Sequence, residues 1–378
     1  MKKKNIILFF YFFILIWSCG KSDNVFENKD KKNSETEKSN NPENKNSNRS
    51  LKEQITIIGV GDIMLGSNYP DTSLLPKNDA DILKNTGHIL KDADITVGNL
   101  EGTLFDKGGN PKNCSNPSVC YVFRTPSKYG KYLKNAGFDY LSISNNHSND
   151  FGSEGLRQTM ENLDKLDIKY SGIKDKAETA FLEKDGIKYG FVSFAPNSKT
   201  VNINDYDYAS KLIRSVKEKS NIVIVMFHGG AEGNSKQNIT RQNEIFYGEN
   251  RGNVFKFARM AVDRGADIVF GQGPHVTRAI ELYKNKFISY SAGNFATYGK
   301  FNLSGPSGIA PIFKITIDSK GNFLTGEIIS TKQYKGGLGP FIDKNMEAVK
   351  KVIYLSKIDF PEGNGLEISS EGKINKIQ

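Results

Sequence analysis

The chain has 378 residues, with 52 basic against 42 acidic side chains, a formal net charge of +10 and three cysteines. The basic excess is scattered, without an Arg-rich stripe or interleaved basic and aromatic residues, so nucleic acid is not the expected partner. Outside a membrane such a charge can draw a protein to anionic lipids or acidic polymers, and charge alone does not choose between them.

At the N-terminus, Lys2, Lys3 and Lys4 precede an unbroken apolar run from Ile6 to Trp17. A membrane-spanning helix needs roughly 20 residues, so the run has the length of a signal-peptide core. It ends in Ile16-Trp17-Ser18-Cys19, which resembles a bacterial lipobox, although Trp17 stands where a small residue is usual. Residues 1–19 are therefore expected to be a lipoprotein signal with Cys19 lipidated, an uncleaved anchor or ordinary secretory signal being the alternative. Residues 20–53 are dominated by Asn, Lys, Ser and Glu and bury too little to offset ordering entropy, which predicts a disordered tether. The foldable domain is expected over 54–357, one large α/β unit, with 358–378 as a C-terminal tail.

Within the domain, apolar runs end in Gly, Asn, Asp or His and give way to helical periodicity. Ile55–Val60 leads into Gly61-Asp62, and Asp94–Val97 into Gly98-Asn99-Leu100-Glu101. Tyr140–Ile143 leads into Ser144-Asn145-Asn146-His147, Asn221–Phe227 into His228, and Asp267–Phe270 into Gly271 with Pro274-His275 beyond. Phe287–Tyr290 leads into Ser291-Ala292-Gly293-Asn294. Continuous apolar runs suit strands covered on both faces. Ile187–Phe194 and Ile312–Ile317 alternate more and are expected to pair as outer strands. Between the runs, Lys128–Ala136 reads as a short helix closed by Gly137. Ser153 is placed to cap a helix carrying Leu156, Met160 and Leu163, and Val254, Phe257, Ala258, Ala261 and Val262 mark one closed by Gly265. Cys114 and Cys120 bracket a Pro-containing turn; in an oxidising compartment they can close a small disulfide loop, with two unpaired thiols the alternative.

His88 falls in a helical pattern and reads as a surface or packing residue. The other three histidines follow strand ends, as do Asp62, Glu101 and Asn146, and ligands of open α/β sheets bind at carboxyl ends of strands. Singly, each is as well explained by loop capping or a satisfied polar side chain. Together they suit a metal, with a mixture of hard oxygen and borderline nitrogen donors that favours Mn, Fe or Zn over Ca.

In order along the chain stand Gly61-Asp62-Ile63-Met64-Leu65, Gly98-Asn99-Leu100-Glu101, Asn145-Asn146-His147-Ser148-Asn149-Asp150-Phe151-Gly152, His228-Gly229-Gly230-Ala231-Glu232, Gly271-Gln272-Gly273-Pro274-His275-Val276 and Tyr290-Ser291-Ala292-Gly293-Asn294-Phe295. This set resembles the CapA (PgsA-type) poly-γ-glutamate capsule biosynthesis family, itself similar to calcineurin-like metallophosphoesterases, over about Ile55 to Phe295. The resemblance implies a four-layer α/β/β/α metallophosphoesterase-like sandwich. It implies metal ligation by Asp62, Glu101, Asn146, His228 and His275, catalytic support from His147, and site roles for Asp150 and Glu232. Met64 stands where metallophosphoesterases carry a His, as in the capsule family. Gln272 and Gly273 replace two histidines usual in close members, which implies one metal ion rather than two.

The expected function is that of a membrane-anchored, extracytoplasmic envelope protein of the capsule type. Its metal-dependent phosphoesterase-like site would act on or bind an anionic polymer or phosphoester, alongside other envelope biosynthesis proteins. The alternative is a non-catalytic polymer-binding component, and metal content followed by aryl phosphate hydrolysis separates the two.

Overall fold

A computed structural model describes residues 52–114 and 120–377. The expected signal peptide, Cys19 and nearly all of the expected tether lie outside the described residues. The framework is two mixed sheets. The first has ten strands, running Leu366–Ile368, Lys373–Lys376, Phe323–Lys332, Ile309–Asp318, Gln54–Met64, Ile95–Leu100, Tyr140–Ser142 and Lys169–Ser171, with Asn294–Thr297 and Phe341–Ile342 joined off this path. The second has six, in the order Ile280–Tyr283, Lys286–Ser289, Ile268–Gln272, Ile222–His228, Ile187–Phe194 and Thr179–Lys184.

Strand alternation assigns the side chains to layers. In Ile222–His228, Ile222, Ile224 and Met226 enter a core shared with Ile55, Ile57, Ile95 and Val97 of the first sheet. Their neighbours Val223, Val225 and Phe227 pack outward against the helices Tyr206–Lys217 and Val254–Asp263. On the opposite side, Ile58, Val60 and Leu141 pack against the helices Gly130–Ala136 and Gly152–Lys165. The order is therefore helix, sheet, sheet, helix, the expected four-layer α/β/β/α sandwich, and burial on both faces is why these strands read as continuous apolar runs.

The helix Val254–Asp263 buries all five anticipated residues, and Asn253 caps it by accepting from the Lys256 amide. Gly137 and Gly265 follow their helices at φ +93° and +117°, as left-handed closures require. Several expectations are corrected. Ser153 lies inside the helix Gly152–Lys165, whose N-cap is Phe151 with no side-chain cap bond. Ile187–Phe194 and the strand Ile309–Asp318 belong to different sheets, and both lie inside their sheets, so they are neither outer strands nor partners; alternation alone cannot separate an edge from a strand whose second face meets helices. The segment 358–378 is no tail: Lys373–Lys376 pairs with Phe323–Lys332 and Leu366–Ile368 with Lys373–Lys376, burying Leu366 and Ile374 in the inter-sheet core.

Candidate metal centre

The site lies where the carboxyl ends of parallel strands from both sheets meet. His228 is the last residue of Ile222–His228 and shares the parity of Ile224 and Met226, which turns it toward the first sheet. Strict alternation from Ile58 and Val60 would send Asp62 to the helix-covered face, but the pairing register shifts between Gly59 and Asp62, and such an irregularity re-aims the side chain. Gly61 permits the crossing beside it: a Cβ there would sit 1.9 Å from the carbonyl oxygen of Gly293, which itself accepts from the Asp62 amide at 2.9 Å. Glu101 follows Ile95–Leu100 directly. His275 takes a left-handed φ of +58°, rare for a residue with a side chain and found where a loop is held in place for function.

Asp62, Glu101, His228 and His275 each present a ligand atom within 4.8 Å of the others. His275 Nδ1 lies 2.9 Å from Asp62 Oδ2, and its Nε2 is 3.4 Å from Glu101 Oε1. His228 Nε2 is 3.6 Å from the same Glu101 oxygen and 4.0 Å from Asp62 Oδ1. Neither Glu101 oxygen and neither His228 nitrogen makes a hydrogen bond, although both side chains are fully buried. Burying an unpaired carboxylate is costly, so these groups call for a cation between them. Burial opposes a charge on His275, but Glu101, Asp62 and Glu232 outweigh it and raise the imidazole pKa to about 10. For Asp62, burial is outweighed by the hydrogen bond and charge of His275, aided by His228 and Asn99, which hold its pKa below the usual range.

Asn146, the fifth expected ligand, lines the same cavity with its Oδ1 buried and unpaired, while its amide nitrogen lies 3.4 Å from Glu232 Oε1. His147 stands across from the cluster, with Nε2 4.0 Å from Glu101 and Nδ1 2.8 Å from Asp150 Oδ2. Asp150 is fully buried and also accepts from the Phe123 amide at 2.7 Å. Glu232 Oε2 is 3.8 Å from His275 Nε2, and its Oε1 is 2.8 Å from Arg251. Burial raises the Glu232 pKa, but His275, Arg251, His228 and His147 together bring it below its ordinary value. All eight expected site residues thus come together. His88 is exposed, as anticipated.

Sequence reading missed three contributors. Asn99 donates to Asp62 Oδ1 at 2.8 Å and accepts from Asn145, fixing the carboxylate; its place in Gly98-Asn99-Leu100-Glu101 is the signal that could have marked it. Lys112 reaches Asp150 at 2.6 Å and His147 Nδ1 at 3.4 Å, and Arg251 holds Glu232. Lys112 comes from the long loop between Leu104 and Arg124, and Arg251 follows the two-residue strand Glu249–Asn250, too short for a period to show, so no local pattern marks either. Cys114 and Cys120 form a disulfide beside this cavity, and residues 115–119 lie outside the described set.

The two altered positions have a physical account. Gln272 is buried, and with its amide turned it donates to the Phe227 carbonyl at 2.9 Å within the second sheet. Gly273 has a φ of +116°, and a Cβ there would lie 2.7 Å from the backbone of Gly229, leaving no room for an imidazole.

The pattern of the Bacterial capsule synthesis protein PGA_cap family matches residues 56–298. The chain is 27% identical over 265 residues to the capsule biosynthesis protein CapA of Bacillus anthracis, covering 64% of this chain and 60% of that one. It is 28% identical over 251 residues to the PGA biosynthesis protein CapA of Bacillus subtilis (strain 168), covering 62% of this chain and 61% of that one. It therefore spans about three fifths of the length of these relatives. Similar solved structures include a phosphatase from Mycoplasma pneumoniae, at 17% identity and a TM-score of 0.47 over 75% of this chain and 95% of that one. A putative 5'-nucleotidase from Staphylococcus aureus follows, at 12% identity and a TM-score of 0.44 over 80% and 58%. The match across residues 56–298 takes in all eight clustered site residues, the whole second sheet and five of the ten strands of the first, and the chain belongs to the bacterial capsule synthesis PGA_cap family.

Proposed function

We propose that this protein works in the cell envelope, outside the cytoplasm and tethered to a membrane through Cys19. Its centre is a divalent-metal site that cleaves or transfers a phosphoester during assembly of an anionic surface polymer. One observation carries this reading: buried Glu101 and His228 have no hydrogen-bond partner and face Asp62 and His275. Two carboxylates and two imidazoles, with Asn146 Oδ1 beside them, fit one Mn, Fe or Zn ion. Such an ion would polarise a phosphoryl oxygen.

The chain's own residues supply the rest. Asp150 fixes the ring of His147 through Nδ1, which leaves Nε2 facing the cavity to give a proton to a departing oxygen. Asn99 holds Asp62, and Arg251 holds Glu232, so that the acidic groups keep their orientation while the metal is absent or exchanging. Support for the membrane tether is sequence alone, the run from Lys2 to Cys19. Among the described residues no helix is long and apolar enough to cross a membrane.

The test is metal content of the purified chain followed by turnover of an aryl phosphate. Metal with turnover supports the reading; metal without turnover favours a second one, a polymer-binding component. That second reading draws on Gln272 and Gly273, which offer no imidazole where the family resemblance leads one to expect two: Gln272 bonds within its own sheet and Gly273 has no room for a side chain.

A further inference from the structure

The space above the metal-ligating cluster is a cavity of about 440 Å³. Its floor is polar, formed by Glu101, Asn146, His147 and His275, but its walls are aromatic. On one side Phe123 and Phe301 stack with ring centroids 5.3 Å apart and planes at 23°. Tyr121 extends this wall and is 43% exposed. The cavity is lined as well by a hairpin formed by Ile245–Phe246 and Glu249–Asn250, through Phe246 and Tyr247. Its turn residues Tyr247 and Gly248 take φ of +47° and +80°, and Tyr247 is 78% exposed. The hairpin contributes nothing to the core, since Ile245 also points to solvent. It is nevertheless tied to the site: Arg251 packs 5.5 Å from the Phe246 ring while its guanidinium holds Glu232.

The charges on these walls discriminate between ligands. Three cations line the cavity, Lys112, Arg251 and Lys300. Lys112 is engaged by Asp150, and Arg251 by Glu232 and Glu249. Among the described residues, Lys300 alone of the three has no carboxylate within ion-pairing distance. A linear polyanion threaded here would meet rings where it needs positive charge. A ligand with one anionic end and a flat or ring-shaped body fits instead, its charge on the floor and its ring against the aromatic faces.

We propose that the cavity binds a phosphate ester of a ring-bearing alcohol, a sugar or a nucleoside, with the ring held against the hairpin tip at Tyr247 and the Phe123–Phe301 stack. The phosphate end rests on the metal-site reading above; the ring end does not. Ring stacking contributes about tenfold in affinity per ring, which sets the size of the expected effect.

The experiment is calorimetric titration of the full chain in detergent after loading with Mn, with bound metal counted in the same samples. The probes are inorganic phosphate, glycerol 3-phosphate, glucose 1-phosphate and AMP, together with phosphate-free methyl glucoside and adenosine. At least one ring ester should bind about tenfold tighter than glycerol 3-phosphate, and whichever ester does so tells sugar from nucleoside. Tyr247→Ala, at an exposed tip that folding does not depend on, and Phe301→Ala should each remove most of that advantage and leave inorganic phosphate binding unchanged. Equal affinity for glycerol 3-phosphate and both ring esters overturns the proposal, as does an advantage that survives both substitutions. Should the samples hold less than about a tenth of an equivalent of metal and bind no phosphate, the metal reading fails by itself. Methyl glucoside and adenosine then decide the ring site: binding lost in Tyr247→Ala supports it, and no binding to the wild type overturns it.

Discussion

Nδ1 of His275 lies 2.9 Å from Oδ2 of Asp62, a contact that joins the two sheets across 213 positions of sequence. Without metal, the His275 imidazolium stands among Asp62, Glu101 and Glu232 and supplies the positive charge those carboxylates need. A metal ion and this proton therefore compete for the same place.

That competition has a definite sign. The His275 pKa is about 10 in the folded metal-free chain, above an unfolded value near 6.5. The stability this adds is fully present below pH ~6.5 and is lost as pH rises through 10. Between those limits metal binding should release close to one proton, and affinity should rise as pH increases. Calorimetry at pH 7.5 in two buffers of different ionisation enthalpy measures the proton count. A count near zero would mean that His275 is not a ligand. The thermal midpoint of metal-free protein should also fall from pH 7 to 10, while that of loaded protein should not show this loss.

The ligand set makes a second prediction. Asp62→Ala or His228→Ala should lower bound metal at least about tenfold, because each removes one of the four charged or imidazole donors that Asn146 Oδ1 alone supplements. His147→Ala should keep the metal, since its Nδ1 is committed to Asp150 and its Nε2 stands 4.0 Å from Glu101. If the protein is a hydrolase, this variant should lose most turnover of an aryl phosphate. Metal analysis and circular dichroism on the same three preparations separate ligand loss from misfolding.

Much of the architecture was legible because strands buried on both faces leave long apolar runs, and the residues after them, Asp62, Glu101, His147 and His228, have little structural reason to recur at strand ends. The C-terminal hairpin was not legible: Glu367, Lys373 and Asn375 alternate with Leu366, Ile368 and Ile374 in two very short strands, too few residues for a period to show. Lys112, Arg251 and the hairpin at Tyr247 were hidden for a different reason. Their partners Asp150, Glu232 and Phe246 are set by how loops fold over the crevice, and loop geometry has no periodic signature.

Fatty-acid labelling of cells should mark the wild-type chain and not Cys19→Ala. The expectation follows from the short apolar run ending at Ser18-Cys19. Label that survives the substitution would place attachment elsewhere.

Protein isolated and denatured without reductant should show no free thiol at Cys114 or Cys120. The bridge closes a loop of six-residue separation, and chain-entropy reasoning gives it about 2 kcal/mol of stability. Reduction should therefore lower the thermal midpoint by less than about 10 °C, since a domain this large shifts roughly 2–4 °C per kcal/mol. Two reactive thiols in unreduced protein would contradict the bridge.

The C-terminal strands give the sharpest test of the fold. Ile374 is fully buried, pairs with Gly326 on one side and Ile368 on the other, and packs in the same inter-sheet core as Ile55, Ile224 and Phe313. Truncating a buried Ile to Ala removes its transfer free energy and leaves a cavity, a loss of about 2–5 kcal/mol. Ile374→Ala should accordingly lower the thermal midpoint by roughly 5–15 °C. Ile377, three residues on, is 53% exposed, so Ile377→Ala serves as the control and should move the midpoint by less than about 2 °C. Deleting residues 361–378 removes Leu366 as well and exposes the edge of Phe323–Lys332, so its effect should exceed that of Ile374→Ala. Equal midpoints for the wild type and the truncated chain would show that 358–378 is a tail after all.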